Sequence, residues 1–356
     1  MNTFNHKITL LRDISGFSMN ELAEKIGVSR QAIFKYENGD MKPDSTILIK
    51  LANALGVSTD YFFQNNSSGP TIKLASIAHR EKNKVEEQEF EKIKRETIDF
   101  ILRLIDLEQI ANARQEFSNP LSEISIKSNN DIEKATKVLR KKWSLGTMPI
   151  ANVVQLLESK GIKIFEVEKS NKFEGFAAWV GRIPIIVINS SIQEVTRVRF
   201  TTLHELGHIL LDFCESLDEI SIERLCDAFS SELLFPKELV VIELGDTRTK
   251  ISVEELIYVK KKYGFSIQAI IFSALNANVI SKTTYFSWKK LYDQWYKEGR
   301  DFGKYEANEC PQRFNMLLYN CISEDKISIG KASILSKQDE SELKKKYQLF
   351  DNHITD

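Results

Sequence analysis

Arg199-Phe200-Thr201-Thr202-Leu203-His204-Glu205-Leu206-Gly207-His208-Ile209-Leu210-Leu211 is the stretch around which the chain is read, a His-Glu-x-x-His run bracketed by apolar residues. On a helix, residues four apart share a face, so His204 and His208 aim their imidazoles at one point with Glu205 beside them. Two neutral imidazoles suit a borderline-soft dication such as zinc, whose open coordination position takes water. The neighbouring carboxylate, Glu205, then serves as the base that accepts that water's proton as it attacks a carbonyl. The chemistry implied is amide hydrolysis, with one Zn2+ per chain.

A catalytic zinc wants a third protein ligand. The next acidic helix supplies Glu223-Arg224-Leu225-Cys226-Asp227, with Glu223 and Asp227 again four apart. Glu223 reads as the ligand, and Asp227 as the carboxylate that takes a ring N–H from a ligand histidine and fixes its tautomer. Cys226 is the rival ligand, although a free cysteine beside such a motif is more often simply buried. The plain alternative is two histidines lying on a buried helix. With only five histidines in 356 residues, that reading needs the His204/His208 spacing and the Glu223/Asp227 spacing both to be coincidence.

The length and the 42% hydrophobic content allow two or three cores of ordinary size. A net charge of −1 excludes a globally basic nucleic-acid binder but permits a small local DNA-reading surface. Four cysteines without a CxxC pair, and an N-terminus without a basic-apolar-small signal pattern, place the protein in a reducing cytoplasm. No apolar run reaches membrane-spanning length, so no membrane partner is expected.

Residues 6 to 62 read as five short helices. Ile8, Leu11 and Ile14 stripe the first; Ser18 caps the second, Gly27-Val28 turns the chain, and Ser29 caps the third. The third helix buries Ile33 and offers Arg30 and Gln31, side chains suited to guanine and adenine edges in a major groove, with Lys35 and Lys42 near the same face. Seven basic and seven acidic residues up to residue 62 leave little net phosphate attraction, so base reading must carry the specificity. The run from Met19 through Ser29, Lys35-Tyr36-Glu37-Asn38-Gly39, Pro43 and Leu51 to Val57 closely resembles the XRE/Cro-type helix-turn-helix family. That resemblance implies double-stranded DNA as a partner, contacted by Ser29, Arg30, Gln31 and Lys35, and a homodimer on a two-fold site. The bland reading is a helical domain that keeps the fold without DNA.

Gln64 to Pro70 is a polar breaker run. Beyond it, residues 80 to 117 predict one long amphipathic helix striped by Phe90, Ile93, Thr97, Ile101 and Leu104, ended by Asn119-Pro120. It is either a dimerising coiled coil or spacer, or a helix packed along its own domain. Two helices follow from Asp131, then strands at Ile162 to Val167, Phe176 to Val180 and Ile183 to Ile188. A small sheet ahead of a metal-binding helix offers an edge strand to an extended peptide, and the stretch Phe173 to Trp179, with Gly175, Phe176 and Trp179, is the one proposed for this. Taken singly, Phe176 and Trp179 read as core aromatics.

The run Phe200 to Leu211, followed by Glu223-x-x-Cys226-Asp227 and on to Phe235-Pro236, resembles the ImmA/IrrE family of bacterial zinc metallopeptidases, as do Leu156 to Ile162 and Gly175-Phe176-x-x-Trp179 upstream. The likeness spans roughly residues 130 to 275. It implies zinc held by His204, His208 and Glu223, Glu205 as general base, and a narrow substrate, a partner repressor of helix-turn-helix type. The family pattern often has Ala-Asn at Cys226-Asp227 and Met at Phe235; neither departure removes a ligand. Cleavage of a partner, self-cleavage and self-association at an operator all stay open.

Ser252 and Ser266 cap two further helices, the aromatic run Thr284 to Trp295 reads as core packing, and residues 311 to 347 as two amphipathic helices. The whole is mainly α with a small β-sheet (α+β). It divides into a helix-turn-helix domain at 1–64, a linker and long helix at 65–129, a zincin-like metallopeptidase domain at 130–280, and a helical C-terminal region at 281–356. The rival function is a transcriptional regulator whose peptidase-like domain senses metal, peptide or a partner without turnover. An intact Glu205 weighs against it, because a structural zinc needs no base.

Overall fold

A computed structural model describes residues 4–55, 59–63, 72–74, 87–168, 173–300 and 302–351. The architecture is mainly helical with a small sheet, α+β.

The first helices are α1 (Phe4–Ile14), α2 (Met19–Ile26), α3 (Arg30–Asn38) and α4 (Ser45–Leu55), with a 3-10 turn at Thr59–Phe62. Their starts are written in the sequence. Ser18 accepts from the Glu21 amide while Glu21 reaches back, a complete capping box, and Ser29 accepts from the Ala32 amide. Gly27 and Gly39 end α2 and α3 at φ of 77° and 81°, a conformation that costs a glycine little. Ile8, Leu11, Leu22, Ile26, Ile33 and Leu51 close a separate small core.

The sheet comprises β1 (Ile72–Leu74), β3 (Lys163–Val167), β4 (Gly175–Val180) and β5 (Ile183–Asn189), in the order β1-β4-β5-β3. β4 and β5 form an antiparallel hairpin, while β3 runs parallel to β5. Side chains alternate across it. Phe176, Ala178, Val180, Ile185 and Val187 face a long helix, α5 (Glu87–Ala111), through Ile93, Ile101 and Ile105. Ile164, Ala177, Ile186 and Ile188 face the larger core. A two-stranded parallel ladder, β2 (Ser125–Ile126) with β6 (Asp212–Phe213), was not expected from sequence.

The long helix is therefore packed along the sheet. The sequence placed its end at Asn119-Pro120; it stops at Ala111, because Asn112 turns left-handed at φ 52° and the Ala113 amide bonds back to the Glu108 carbonyl. Residues 80 to 86 of the expected span lie outside the described residues. Near the C-terminal end of α5, buried Glu108 accepts from Lys163 at 2.5 Å and from Arg313 at 2.7 Å, tying it to β3 and to the C-terminal helices.

The remaining helices are α6 (Asn129–Lys142), α7 (Val153–Ser159), α8 (Val195–Leu210), α9 (Glu219–Leu234), α10 (Lys237–Leu244), α11 (Val253–Tyr263), α12 (Ile267–Asn276) and α13 (Lys282–Lys297). Among the described residues three more follow where the sequence suggests two: α14 (Arg313–Ser323), α15 (Ile329–Ser336) and α16 (Glu340–Asp351). α14 and α15 pack with Leu107 of α5 in a cluster of their own. The aromatic run on α13 largely takes the core role its composition suggests, with Tyr285, Tyr292 and Trp295 packed against the larger core beside Trp288. Only Trp288 is buried, while Phe286 and Tyr296 are 64% and 70% exposed.

One buried ion pair fastens the metal-motif helix. Arg199 of α8, with no exposed surface, pairs with Glu309 and donates to the carbonyls of Ile150 (2.7 Å) and of Tyr263 and Gly264 at the end of α11. Glu309 also accepts from the amides of Val153 and Val154 that open α7. In the sequence Arg199 is marked only as a cation amid apolar residues, and its partner lies 110 residues away.

Candidate metal centre

α8 and α9 lie side by side because Gly207 lets them. A Cβ on Gly207 would stand 3.1 Å from Cys226 Sγ and 3.4 Å from its Cβ, so a side chain there would need Cys226 to give by a few tenths of an ångström. Asp218 starts α9 by accepting from the Ser221 amide, which sets Glu223 in the second turn, facing the histidines.

His204, His208 and Glu223 converge, their potential ligand atoms all within 4.8 Å of one another. Nε2 of His204 lies 3.2 Å from Nε2 of His208 and 3.1 Å from Glu223 Oε2, and His208 Nε2 lies 3.3 Å from Glu223 Oε1. A tetrahedral zinc with bonds of about 2.0–2.1 Å separates its ligand atoms by about 3.3 Å, close to the 3.2 Å between the two Nε2 atoms, while the two imidazoles meet different oxygens of the one carboxylate. The residues fit the ion. Asp227 Oδ1 sits 2.8 Å from His204 Nδ1, where it takes that ring N–H and leaves the Nε2 lone pair turned inward.

Burial works against a charged His204, but its hydrogen bonds to Asp227 and Glu223 prevail and push it up to about 10. Burial, and then the charge of His204, push His208 down to about 4. Cys226, the rival ligand, is outside the triangle, its Sγ 3.5 Å from His208 Nδ1. Burial first, and then Glu223, push its thiol well up.

Glu205 is nearly buried, at 5% exposure. It lies against the start of β4, where a Cβ on Gly175 would be 3.8 Å from Glu205 Cγ, 3.2 Å from Thr201 Cγ2 and only 2.8 Å from the Val187 carbonyl oxygen. Gly175 is thus a spacer between sheet and helix. Phe176 is a core aromatic, packed on Phe90 and Phe173, and Trp179 is half-buried, edge-on to Phe117. The expected open edge from Phe173 to Trp179 is corrected in two respects. The strand begins at Gly175, and β1 already pairs with Ala178–Val180.

At the other end of α9, burial pushes the Glu232 carboxyl up to about 7, with Glu238 and Glu133 adding to the effect. An acid raised above its ordinary value favours the folded state below pH 4.5 and loses that contribution as pH rises through 7. Glu232→Gln, which keeps an oxygen for the Lys237 amide, is expected to stabilise the protein by about 2 kcal/mol at pH 8, after discounting for solvent, and by almost nothing at pH 4. Urea denaturation at the two pH values measures this, and equal effects at both would contradict it.

On the helix-turn-helix domain, Arg30, Gln31 and Lys35 are exposed on one face of α3 together with Phe34, and Ser29 caps the helix. Lys42 is exposed just beyond. Glu37, the charged residue of α3 that turns inward, is buried against Arg12 at 2.5 Å. Among the described residues no helix is long and apolar enough to cross a membrane.

Residues 8–62 match the family model for the helix-turn-helix domain, and residues 157–274 match that for the IrrE N-terminal-like domain. Among similar proteins of Bacillus subtilis (strain 168), the SPbeta prophage-derived uncharacterized HTH-type transcriptional regulator YonR is 39% identical over 61 residues, 17% of this chain and 56% of that one. The HTH-type transcriptional regulator ImmR is 38% identical over 50 residues, 14% and 39% of the two chains. This chain thus spans about half the length of these relatives or less. Among solved structures, ComR from Streptococcus suis aligns over 97% of this chain and 94% of its own at 11% identity and a TM-score of 0.17, too slight a likeness to bear on the fold.

Proposed function

We propose that this fusion of an XRE-type helix-turn-helix domain with an IrrE/ImmA-like domain is a DNA-associated zinc metallopeptidase that hydrolyses a peptide bond in a partner repressor. The observation that carries the reading is the convergence of His204, His208 and Glu223, their potential ligand atoms within 4.8 Å of one another, with Glu205 next to His204 on the same helix.

In this reading His204, His208 and Glu223 hold one Zn2+ per chain, and Asp227 holds His204 in the tautomer that presents Nε2. When bound, the ion supplies a Lewis acid that acidifies water and polarises a peptide carbonyl. Glu205 accepts the proton of the attacking water and passes it to the departing amine. Its burial beneath Gly175 keeps bulk water from competing for that proton. An extended peptide added to the β4 edge would run alongside the strand whose Gly175 lies against Glu205.

The helix-turn-helix domain, proposed as residues 1–64, delivers this activity to double-stranded DNA. Arg30 suits guanine and Gln31 adenine in the major groove, Lys35 suits phosphate, and Ser29 presents the helix N-terminus. A homodimer on a two-fold operator doubles the contacts of a domain with little net charge. The substrate class is a helix-turn-helix repressor, the protein acts in the cytoplasm, and residues 130–280 form the hydrolytic unit. Relatives named as transcriptional regulators support the regulatory half of this reading.

Elemental analysis tests the centre. Wild type is expected to carry about one zinc per chain, lost in both His204→Ala and Glu223→Ala while the fold is retained. Wild type that takes up no zinc when it is supplied would sink the proposal.

A further inference from the structure

β1 occupies the Ala178–Val180 half of the edge that an incoming peptide would use. Ile72–Leu74 pair antiparallel with the outer edge of β4, Ile72 opposite Val180, Lys73 opposite Trp179 and Leu74 opposite Ala178. Each step along β1 therefore moves one residue back along β4, toward Gly175. That end of β4 is the one in contact with the α8 helix, where a Cβ on Gly175 would meet Thr201 and then Glu205. The other edge of β4 is filled along its whole length by β5. A peptide that joins the sheet beside Glu205 has the β1 side of β4 and no other. A strand's outward N–H and C=O groups serve one neighbour at a time, so at Ala178–Val180 that side is spent on β1.

We propose that Ile72–Leu74 is a tethered occupant of the peptide-binding edge of the metal centre, which a substrate must displace. The inference rests on the reading of that centre as a peptidase. β1 lies in the chain between the helix-turn-helix domain and α5. As part of the same chain it competes at an effective concentration on the order of millimolar, against which a free peptide at micromolar concentration is at a disadvantage. Anything that draws β1 away from β4, DNA engagement of the preceding domain included, exposes the edge.

The test reads peptide binding instead of turnover. Full-length zinc-loaded protein carrying Glu205→Gln is compared with the same protein carrying Lys73→Pro and Leu74→Pro in addition. Adjacent strand residues point their main-chain groups to opposite sides, so one of the two prolines removes a donor facing β4 whatever the ladder phase. The probe is a fluorescein-labelled peptide copying residues 68 to 79, followed by anisotropy. At least tenfold tighter binding to the proline variant is expected. Equal affinity for both proteins, or binding to neither, overturns the proposal. A second variant, with Gly, Ser and Gly at 72, 73 and 74, keeps every donor and lowers strand propensity. It must shift in the same direction, and it decides the matter if the proline variant loses its thermal transition. Tighter binding by the proline variant, with no hydrolysis when Glu205 is restored, would refute the peptidase reading and leave the occupied edge standing.

Discussion

Glu205→Gln is expected to keep about one zinc per chain and to lower cleavage of the partner repressor by about 10³-fold, within the 10²–10⁴ range that a positioned acid–base group contributes. Glutamine matches the carboxylate in shape and still presents an oxygen to its surroundings, but it cannot take the proton of the attacking water. The three ligand side chains are untouched, so metal content separates loss of the base from loss of the site. Cleavage followed by the masses of the fragments, with zinc measured on the same sample, gives both numbers. Wild-type rates in the variant would remove Glu205 from the chemistry and with it the hydrolytic mechanism.

The second large effect is structural. Arg199→Met is expected to destabilise the protein by about 3–5 kcal/mol, since it strands the Glu309 carboxylate in a site that is 2% exposed and unpairs carbonyls at the end of α11. At roughly 2–4 °C per kcal/mol, the melting temperature falls by about 10 °C. Adding Glu309→Gln should recover part of the loss, because the buried charge is gone while an oxygen remains for the Val153 and Val154 amides. A melting temperature within 2 °C of wild type for Arg199→Met would show that the pair carries no such weight. α8 bears both histidines, so the pair also fixes the helix on which the metal centre depends.

The legible features were the local ones. Ser18, Ser29, Ser252 and Ser266 each start a helix and accept a hydrogen bond from an amide three residues on. The stripe of Ile93, Thr97, Ile101 and Leu104 is the buried face of α5. His204 with His208, and Glu223 with Asp227, share faces because four residues bring a helix almost once around. All of these relations close within one or two turns, so residue type and spacing suffice to define them.

What tertiary structure decided are matters of approach between distant segments. Glu223, not Cys226, faces the two Nε2 atoms because of how α9 is rotated against α8 at Gly207. The edge of β4 is covered because a segment about a hundred residues earlier pairs with it, and three residues of strand carry too little pattern to announce themselves. α5 ends before Asn112 through a left-handed turn that proline placement does not foretell, and of the aromatic run on α13 only Phe286 is left in solvent. The chain by itself determined which helices form and which side chains share a face, since main-chain hydrogen bonding over three or four residues sets both. Which faces meet, which ionic partners are buried together and which strand occupies the edge by the metal centre were left to long-range packing, because those energies depend on contacts that no local spacing encodes.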